Sequence, residues 1–348
     1  MATTEERMIE AIKLTAPGTA LRHALDMIIA GHLGALICVG DTDNVIAAGD
    51  DGFKLDVSFT ANRLFELCKM DGAVVVDKDL TQILRANYHL NPNSLPTSET
   101  GMRHRTAARM SLLTDAYVIS VSERRQVSTV YVDGMGHELR AVSELMSSVN
   151  QLLVSLQNSR SQLDRALLRL TTLELDNYVT VADVAQVLYL FEVLMTVGDE
   201  LNRIILEMGS EGRSVRMQYE EFVGDMDEEY TLMIRDYARD SSKEEAARLR
   251  KEFRETSNRQ FRSPVSVAEM LGYEGYSEDT VMTPLGLRTL NNVSVVRKGM
   301  ADKIVDEYGS LQHLMDDIEQ NPDRLDDLGV DNPSILADSL YRMWGKRA

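Results

Sequence analysis

The chain has 348 residues, which is long enough for two or three domains with a sizeable core in each. Its formal net charge of −18 at pH 7 excludes a protein that coats nucleic acid over its whole surface, so any contact with nucleic acid must be local. The two cysteines, Cys38 and Cys68, lie far apart in apolar patterns, which favours buried reduced thiols over a disulfide or a metal site.

The apolar segments are expected to be too short or too polar to cross a membrane. The most apolar stretch considered, Ala24 to Val39, is broken by Asp26 and His32. The N-terminal residues include Glu5 and Glu6 and lack the basic region of a secretory signal. We therefore expect a cytoplasmic protein without a membrane segment.

Residues 1–140 are predicted to form a mixed α/β domain, in which helices flank a central sheet. Thr3 and Glu6 make a capping-box pattern, which predicts a first helix that ends at Pro17. Further helices are predicted at 19–31 and 60–70, a turn at 41–44, and strands at 35–39, 73–76, 83–88, 117–121 and 127–132.

The first candidate site element is the stretch Asp71-Gly72-Ala73. The apolar run that Ala73 opens is uninterrupted and β-branched, as in a strand that is buried on both faces. Asp71 and Gly72 should therefore lie at the mouth of this strand, where Gly72 leaves room for a ligand to approach the backbone.

The second element is the stretch from Gly101 to Thr106, which opens a helical pattern. This pattern puts Arg103 and Arg105 at a helix N-terminus, where free N–H groups and the helix dipole attract anions. Two guanidinium groups at such an end favour a polyphosphate ligand. The two elements together indicate a nucleotide site in which an acid faces a phosphate.

Together with their flanks, these stretches resemble the signature of the diadenylate cyclase domain. The flanks that carry the resemblance are Gly34 to Ile37, Leu84 to Asn87, Thr97 to Gly101 and Ser122 to Arg124. The resemblance implies that two ATP molecules condense into cyclic di-AMP with release of two pyrophosphates. It also implies a divalent cofactor, Mg²⁺ or Mn²⁺, that bridges phosphate oxygens.

The resemblance assigns roles to individual residues. Asp71 would align or deprotonate the 3′-hydroxyl or bind the metal, and both roles stay open. Arg103 and Arg105 would complete the catalytic set, while His104 could equally be a structural hydrogen-bonding residue. Glu123 is a second candidate metal ligand. The expected ATP-binding residues are Gly72, Ala73, Leu90 (against the adenine), Met102, Arg103, His104, Arg105, Thr106, Ser122 and Arg125.

The symmetry of the product predicts a homo-oligomer. One protomer offers one Asp71 and one arginine loop, and therefore holds one ATP. Two protomers that face each other across a two-fold axis would present their nucleotides to one another, so a monomer should be inactive. The precedent in the resembled family is an octamer.

Residues 141–283 are predicted to form an all-α spine. Val142, Val149, Leu156, Leu163 and Leu170 recur every seven residues, which predicts a long helix packed along another helix. Further helices are expected at 181–208, at 219–240 and from Ser242 to about Gln260.

Residues 284–348 resemble tandem helix-hairpin-helix motifs, which hold the DNA backbone without reading the base sequence. The first hairpin departs from the Gly-x-Gly pattern of that family, because it reads Val295-Val296-Arg297-Lys298-Gly299. The basic residues expected to contact DNA are Arg288, Arg297, Lys298 and Lys303.

Two classes of function fit this sequence. The leading hypothesis is an active diadenylate cyclase with a C-terminal module that senses DNA structure. The alternative is a non-enzymatic scaffold that binds DNA and merely senses a nucleotide. The joint presence of Asp71, Gly72, Arg103, Arg105 and Thr106 favours the enzyme, since a sensor does not need a carboxylate that faces the nucleophile.

Overall fold

The computed structural model describes residues 3–297, 299–320, 324–330 and 333–345. The chain forms two compact units. The first extends to Gln151 and includes 202–217, and the second contains 152–201 and the residues from Gln218 onward.

The first unit is a mixed α/β domain, as the sequence predicted. Its helices are α1 (Thr4–Leu14), α2 (Ala20–Ala30), α3 (Thr42–Ala47), α4 (Ala61–Leu67) and α5 (Met102–Leu113). Its strands are β1 (Ala35–Val39), β2 (Gly49–Asp50), β3 (Phe53–Ser58), β4 (Ala73–Val76), β5 (Gln82–Leu90), β6 (Tyr117–Ser122), β7 (Val127–Val132) and β8 (Met135–Leu139).

The strands form one sheet in the order β2-β5-β4-β1-β6-β7-β8, with β3 also paired to β5. Only β1 and β4 run parallel among these pairs. Both strands are buried along their whole length, because Ile37 and Val74 face one hydrophobic cluster while Cys38 and Val75 face another. The predicted double burial of these strands is therefore confirmed.

Three strands, β2, β3 and β8, were not predicted from the sequence, and β2 has only two residues, Gly49 and Asp50. Strand β3 has a half-exposed pattern and carries Lys54 and Asp56, and the hairpin strand β8 is mostly exposed. Neither has the apolar run by which the other strands were found. The predicted turn at 41–44 is instead the start of α3, and Asp41 precedes it in the left-handed region at φ 41°.

A helical region follows the sheet. Val149, Leu156, Leu163 and Leu170 are at most 1% exposed, which confirms the buried seam, whereas Val142 is 37% exposed. The helices are α6 (Val142–Leu175), α7 (Val181–Met208), α8 (Arg213–Val223), α9 (Met226–Tyr237), α10 (Lys243–Glu255), α11 (Asn258–Phe261), α12 (Pro264–Met270), α13 (Leu287–Asn291), α14 (Met300–Tyr308), α15 (Leu311–Gln320), α16 (Arg324–Asp327) and α17 (Pro333–Met343).

One expectation for the helical region is wrong. The single helix predicted at 219–240 is two helices, α8 and α9, which are separated at Gly224 and Asp225. The helical span Val181–Tyr237 also contains a window that could cross a membrane by length and composition, with a mean hydropathy of 1.5. Half of that window is buried inside the protein, as in helices that form a core.

The short helices α13 to α17 surround a hydrophobic core of their own. Leu287, Leu290, Ile304, Leu336 and Leu340 lie at its centre and are at most 1% exposed. The glycines before α14 and α17 adopt the left-handed conformation, with φ 81° at Gly299 and 78° at Gly329. These glycines allow the chain to turn before each of the two helices.

An ion pair between the half-buried Arg140 and the buried Glu207 joins the end of β8 to α7 within the first unit. Glu207 accepts hydrogen bonds from the backbone N–H of Arg140 and from its guanidinium, whose Nη2 lies 2.7 Å from Glu207 Oε2. Burial alone would raise the pKa of Glu207, but the nearby His137 imidazole, 3.8 Å away, and the hydrogen bonds from Arg140 outweigh it and lower the pKa to about 2.

We expect Glu207→Gln to lower the free energy of unfolding at pH 7 by about 3 kcal/mol, because Arg140 then lacks its buried partner. A carboxylate with a depressed pKa stabilises the fold above its unfolded pKa, and this contribution is lost as the pH falls toward 2. Chemical denaturation from pH 7 to pH 2 measures the difference, which should shrink below about pH 4.5. A difference independent of pH would contradict this account.

Candidate nucleotide and DNA sites

The two predicted site elements meet in the first unit. Asp71 lies in the turn before β4, and its side chain is 94% exposed. Arg103 lies in the first turn of α5, with its Nη2 3.9 Å from Asp71 Oδ1. The expected juxtaposition of a carboxylate at a strand mouth and a guanidinium at a helix start is therefore present.

The conformation and packing of the turn favour glycine at position 72. Its φ is +83°, and a Cβ atom would lie 2.8 Å from the carbonyl carbon of Asn87 and 2.9 Å from the nitrogen of Tyr88. The side-chain amide of Asn87 also donates a 2.8 Å hydrogen bond to the carbonyl oxygen of Asp71. The glycine therefore fits the turn closely against β5, and Ala73 beside it is fully buried.

Gly34 makes the space in which the Arg103 side chain lies. A Cβ atom at Gly34 would lie only 2.3 Å from Arg103 Nη1 and 2.8 Å from its Cζ. The stretch beginning at Gly34 supported the family resemblance, but no role for this glycine was predicted. Its proximity to Arg103 depends on the packing of β1 beside α5.

A cavity of about 670 Å³ opens at this end of the sheet. The start of α5 contributes Arg103 and His104, and the end of β6 contributes Ser122, Glu123 and Arg124. Residues from these two stretches therefore line one cavity.

The side chain of Arg125 is not placed as the sequence predicted. Arg125 was predicted as the ATP ligand, but its guanidinium lies 3.4 Å from Glu138 on β8, and its backbone N–H donates to Ser122 Oγ. Arg124 lines the cavity instead. The direction of each side chain follows from the tight turn between β6 and β7, which the sequence pattern did not resolve.

His104 is a nine-tenths buried member of a hydrogen-bonded chain. Its Nδ1 lies 2.9 Å from the hydroxyl of Tyr131, which in turn donates to Glu99 Oε1. Burial lowers the pKa of His104, and this effect outweighs the opposing influence of Glu99. Both open alternatives, the ligand-binding and the structural histidine, are thus compatible with its position on the cavity wall.

The remaining predicted ATP ligands occupy different environments. Met102 is 82% exposed at the start of α5, whereas Arg105 and Thr106 are half-buried in the same helix. Leu90 is half-buried at the end of β5, opposite Gly49. The contact of each with a nucleotide stays a prediction.

The metal prediction concerns Asp71 and Glu123. Among the described residues, the one three-residue group with metal-ligating atoms within 4.8 Å of one another is Asp50, Asp51 and His89, all exposed. Asp71 and Glu123 therefore do not form such a group. A lone carboxylate still fits Mg²⁺, which commonly combines one or two protein carboxylates with substrate phosphates and water.

Arg288 was predicted to contact DNA, and this prediction is wrong. Its side chain is 3% exposed, with Nη2 2.6 Å from Glu174 Oε2 and Nη1 3.8 Å from Glu229. Asp236 accepts hydrogen bonds from the backbone N–H groups of Gly286, Leu287 and Arg288 itself. The arginine fixes the start of α13 to the helices around it, because a buried guanidinium needs carboxylate partners.

The other basic residues differ from Arg288 in exposure. Arg297 and Lys303 are exposed on either side of the left-handed Gly299. Lys298, the fourth predicted DNA contact, lies outside the described residues. Two of the predicted contacts are therefore at the surface, Arg297 before α14 and Lys303 within it.

Comparison with known proteins identifies the family. Two family models match: the "DisA bacterial checkpoint controller nucleotide-binding" region over residues 22–135 and the "DisA bacterial checkpoint controller linker region" over 139–280. The "DNA integrity scanning protein DisA" of Symbiobacterium thermophilum is 38% identical, over 96% of this chain and 95% of its own length. The chain belongs to the DisA family.

Other DisA proteins and one solved structure are also similar. DisA of Corynebacterium glutamicum is 39% identical over 94% of this chain and 91% of its own length. A double mutant of DacA from Staphylococcus aureus is 23% identical, with a TM-score of 0.30 over 40% of this chain and 91% of that chain. Asp71, Arg103 and Glu123 all lie within the match to the DisA nucleotide-binding region.

We expect Gly34→Ala to weaken nucleotide binding about tenfold, because the added methyl group would displace the Arg103 guanidinium from Asp71. The flexible arginine can move aside, so the melting temperature should change little. Isothermal titration with ATP measures the affinity, and Gly198→Ala, a helical position whose Cβ would meet other atoms only at 3.4 Å or more, controls for a substitution of the same size. Unchanged ATP affinity would show that the position of Arg103 is not needed.

Proposed function

We propose that this DisA-family protein is a diadenylate cyclase, which condenses two ATP molecules into cyclic di-AMP and two pyrophosphates. The observation that carries the proposal is the 3.9 Å approach of the Asp71 carboxylate and the Arg103 guanidinium beside the 670 Å³ cavity. Membership of the DisA family, with a nucleotide-binding region that includes both residues, supports it.

The reaction needs positioning and charge neutralisation more than covalent participation by the protein. A ribose 3′-hydroxyl attacks the α-phosphate of the other ATP, and pyrophosphate leaves from the opposite side. Arg103 and the first amides of α5 face the phosphates, because the start of this helix has no side-chain cap. Asp71 orients or deprotonates the hydroxyl, and Arg105 adds positive charge.

A divalent cation, Mg²⁺ or Mn²⁺, would neutralise phosphate charge and make pyrophosphate a better leaving group. Asp71 is the residue best suited to hold it together with phosphate oxygens, and Glu123 is the second candidate.

The exposure of Asp71 favours catalysis between two protomers. A carboxylate that is 94% exposed can reach a nucleotide held by a second copy of the chain. We therefore propose that two cyclase domains face each other across a two-fold axis and that each supplies one ATP. The assembly would be a homo-oligomer, which we propose to be an octamer, and it would act in the cytoplasm.

We expect Asp71→Asn to lower the formation of cyclic di-AMP at least about 100-fold while ATP still binds, because the change removes charge but preserves shape. Mass spectrometry after incubation with ATP and Mn²⁺ measures the product. Asp79→Asn, another exposed aspartate beside β4, is the matched control and should retain activity. A wild-type protein that binds ATP without making product would instead favour the nucleotide-sensing scaffold.

We further propose that the C-terminal helices form a tandem helix-hairpin-helix module that binds the DNA backbone. The exposed Arg297 and Lys303 around the Gly299 turn support this proposal. Lys298 lies between them in the sequence. The net charge of −18 confines the attraction to such local basic patches, so the affinity should depend strongly on salt.

We expect the double variant Arg297→Ala and Lys303→Ala to weaken binding to branched DNA and to reduce the salt slope by about two, one for each lost phosphate contact. Fluorescence anisotropy over a range of salt concentrations measures both effects. Lys251→Ala, which removes a charge that is 80% exposed on α10, should leave the slope unchanged. Equal isotherms for the wild type and the double variant would show that Arg297 and Lys303 do not contact DNA.

A further inference from the structure

The hydrogen-bonded chain that ends at His104 has no part in the mechanism given above. Tyr131 lies on β7 and is 1% exposed, so its hydroxyl needs partners inside the protein. It finds two, Glu99 Oε1 and His104 Nδ1, each at 2.9 Å. Three segments, the loop before α5, the first turn of α5 and the sheet, thus meet in one polar chain.

The number of protons fixes the direction of this chain. A carboxylate only accepts hydrogen bonds, and a tyrosine hydroxyl has one proton, so Tyr131 donates to Glu99. The Tyr131 oxygen must then accept from the imidazole, which places the His104 proton on Nδ1. Burial lowers the pKa of His104 and favours the neutral ring. In that tautomer, Nε2 is a bare hydrogen-bond acceptor.

The Nε2 atom of His104 lacks a hydrogen-bond partner among the described residues. His104 lines the 670 Å³ cavity, and its Nε2 is buried. A buried polar atom of this kind is costly unless another group satisfies it. Phosphate oxygens accept hydrogen bonds and so do not suit a bare nitrogen, whereas an O–H group does.

We propose that Tyr131 and Glu99 are positioning residues that hold His104 in the Nδ1–H tautomer, so that Nε2 accepts a hydrogen bond from an O–H group in the filled site. This inference rests on the proposed function for the identity of the nucleotide. The O–H group belongs either to the ribose or to a water molecule bound with the nucleotide, and both share the same chemistry. His104 then recognises a hydroxyl beside arginines that recognise phosphate.

The tautomer is measured without any nucleotide. In the full-length protein labelled with ¹⁵N-histidine, the His104 resonances, assigned by their loss in His104→Asn, should show a protonated Nδ1 and a bare Nε2. Tyr131→Phe and Glu99→Ala should both increase the Nε2–H form, because each breaks the chain that places the proton on Nδ1. Glu99 is half-buried, so its variant tests the chain even if the Tyr131 variant folds poorly.

The matched control for the tautomer is Tyr117→Phe. This tyrosine also donates to a carboxylate in the same domain, Glu10 Oε2 at 2.7 Å, but it is not bonded to His104. Its variant should leave the His104 resonances unchanged. A wild-type His104 with the proton on Nε2, or resonances that are unchanged in both chain variants, would overturn the proposal.

The ligand contact is measured by titration in EDTA, so that no turnover occurs, with ATP, 2′-deoxy-ATP and 3′-deoxy-ATP. Tyr131→Phe should weaken ATP binding about fivefold, the worth of one hydrogen bond. If a ribose hydroxyl is the donor, the analogue that lacks it should bind the wild type and the variant equally. If bound water is the donor, Tyr131→Phe should weaken the binding of all three nucleotides by the same factor.

The outcomes separate this inference from the proposed function. Unchanged ATP affinity in Tyr131→Phe, together with a shifted tautomer, would overturn the ligand contact of Nε2. Absence of cyclic di-AMP in the wild type would refute the cyclase proposal but would not alter the tautomer result.

Discussion

The approach of the Asp71 carboxylate to the Arg103 guanidinium is the interaction on which the candidate site depends. It exists because the turn that leads into β4, a strand buried on both faces, lies beside the first turn of α5. Two glycines permit it for different reasons. Gly72 lets the turn pass close to β5, and Gly34 leaves the space that the arginine side chain fills. The site is therefore a property of backbone packing as much as of its charged residues.

Burial of the carboxylate partner distinguishes the arginines that support the fold from Arg103, which lines the cavity. Arg288 is 3% exposed and lies 2.6 Å from a buried carboxylate, so its charge is used inside the protein. Arg140 is itself 38% exposed, but its partner Glu207 is buried, with a side chain that is 5% exposed. Arg103 is 41% exposed and lies 3.9 Å from a carboxylate that is itself solvated. Such a contact is weak and is available to a phosphate ligand.

The cavity wall combines two kinds of recognition. The arginines and the uncapped start of α5 attract anionic groups, whereas the chain from Glu99 through Tyr131 turns His104 into an acceptor. Nucleotides carry both phosphates and hydroxyl groups, so the two kinds of group suit different parts of one ligand. The exposed Asp71 is left to face outward, toward a second protomer in the proposed assembly.

The sequence by itself determined β1, β4 and β7, the helix bounds Val181–Met208 and the two motifs that meet at the site. These features follow from local periodicity and from burial on both faces of a strand. Tertiary structure alone decided that Arg288 is structural, since its partner Glu174 lies 114 residues away in the chain. It also decided that Arg124 rather than Arg125 lines the cavity. The environment of a long charged side chain depends on distant segments, and no local pattern records them.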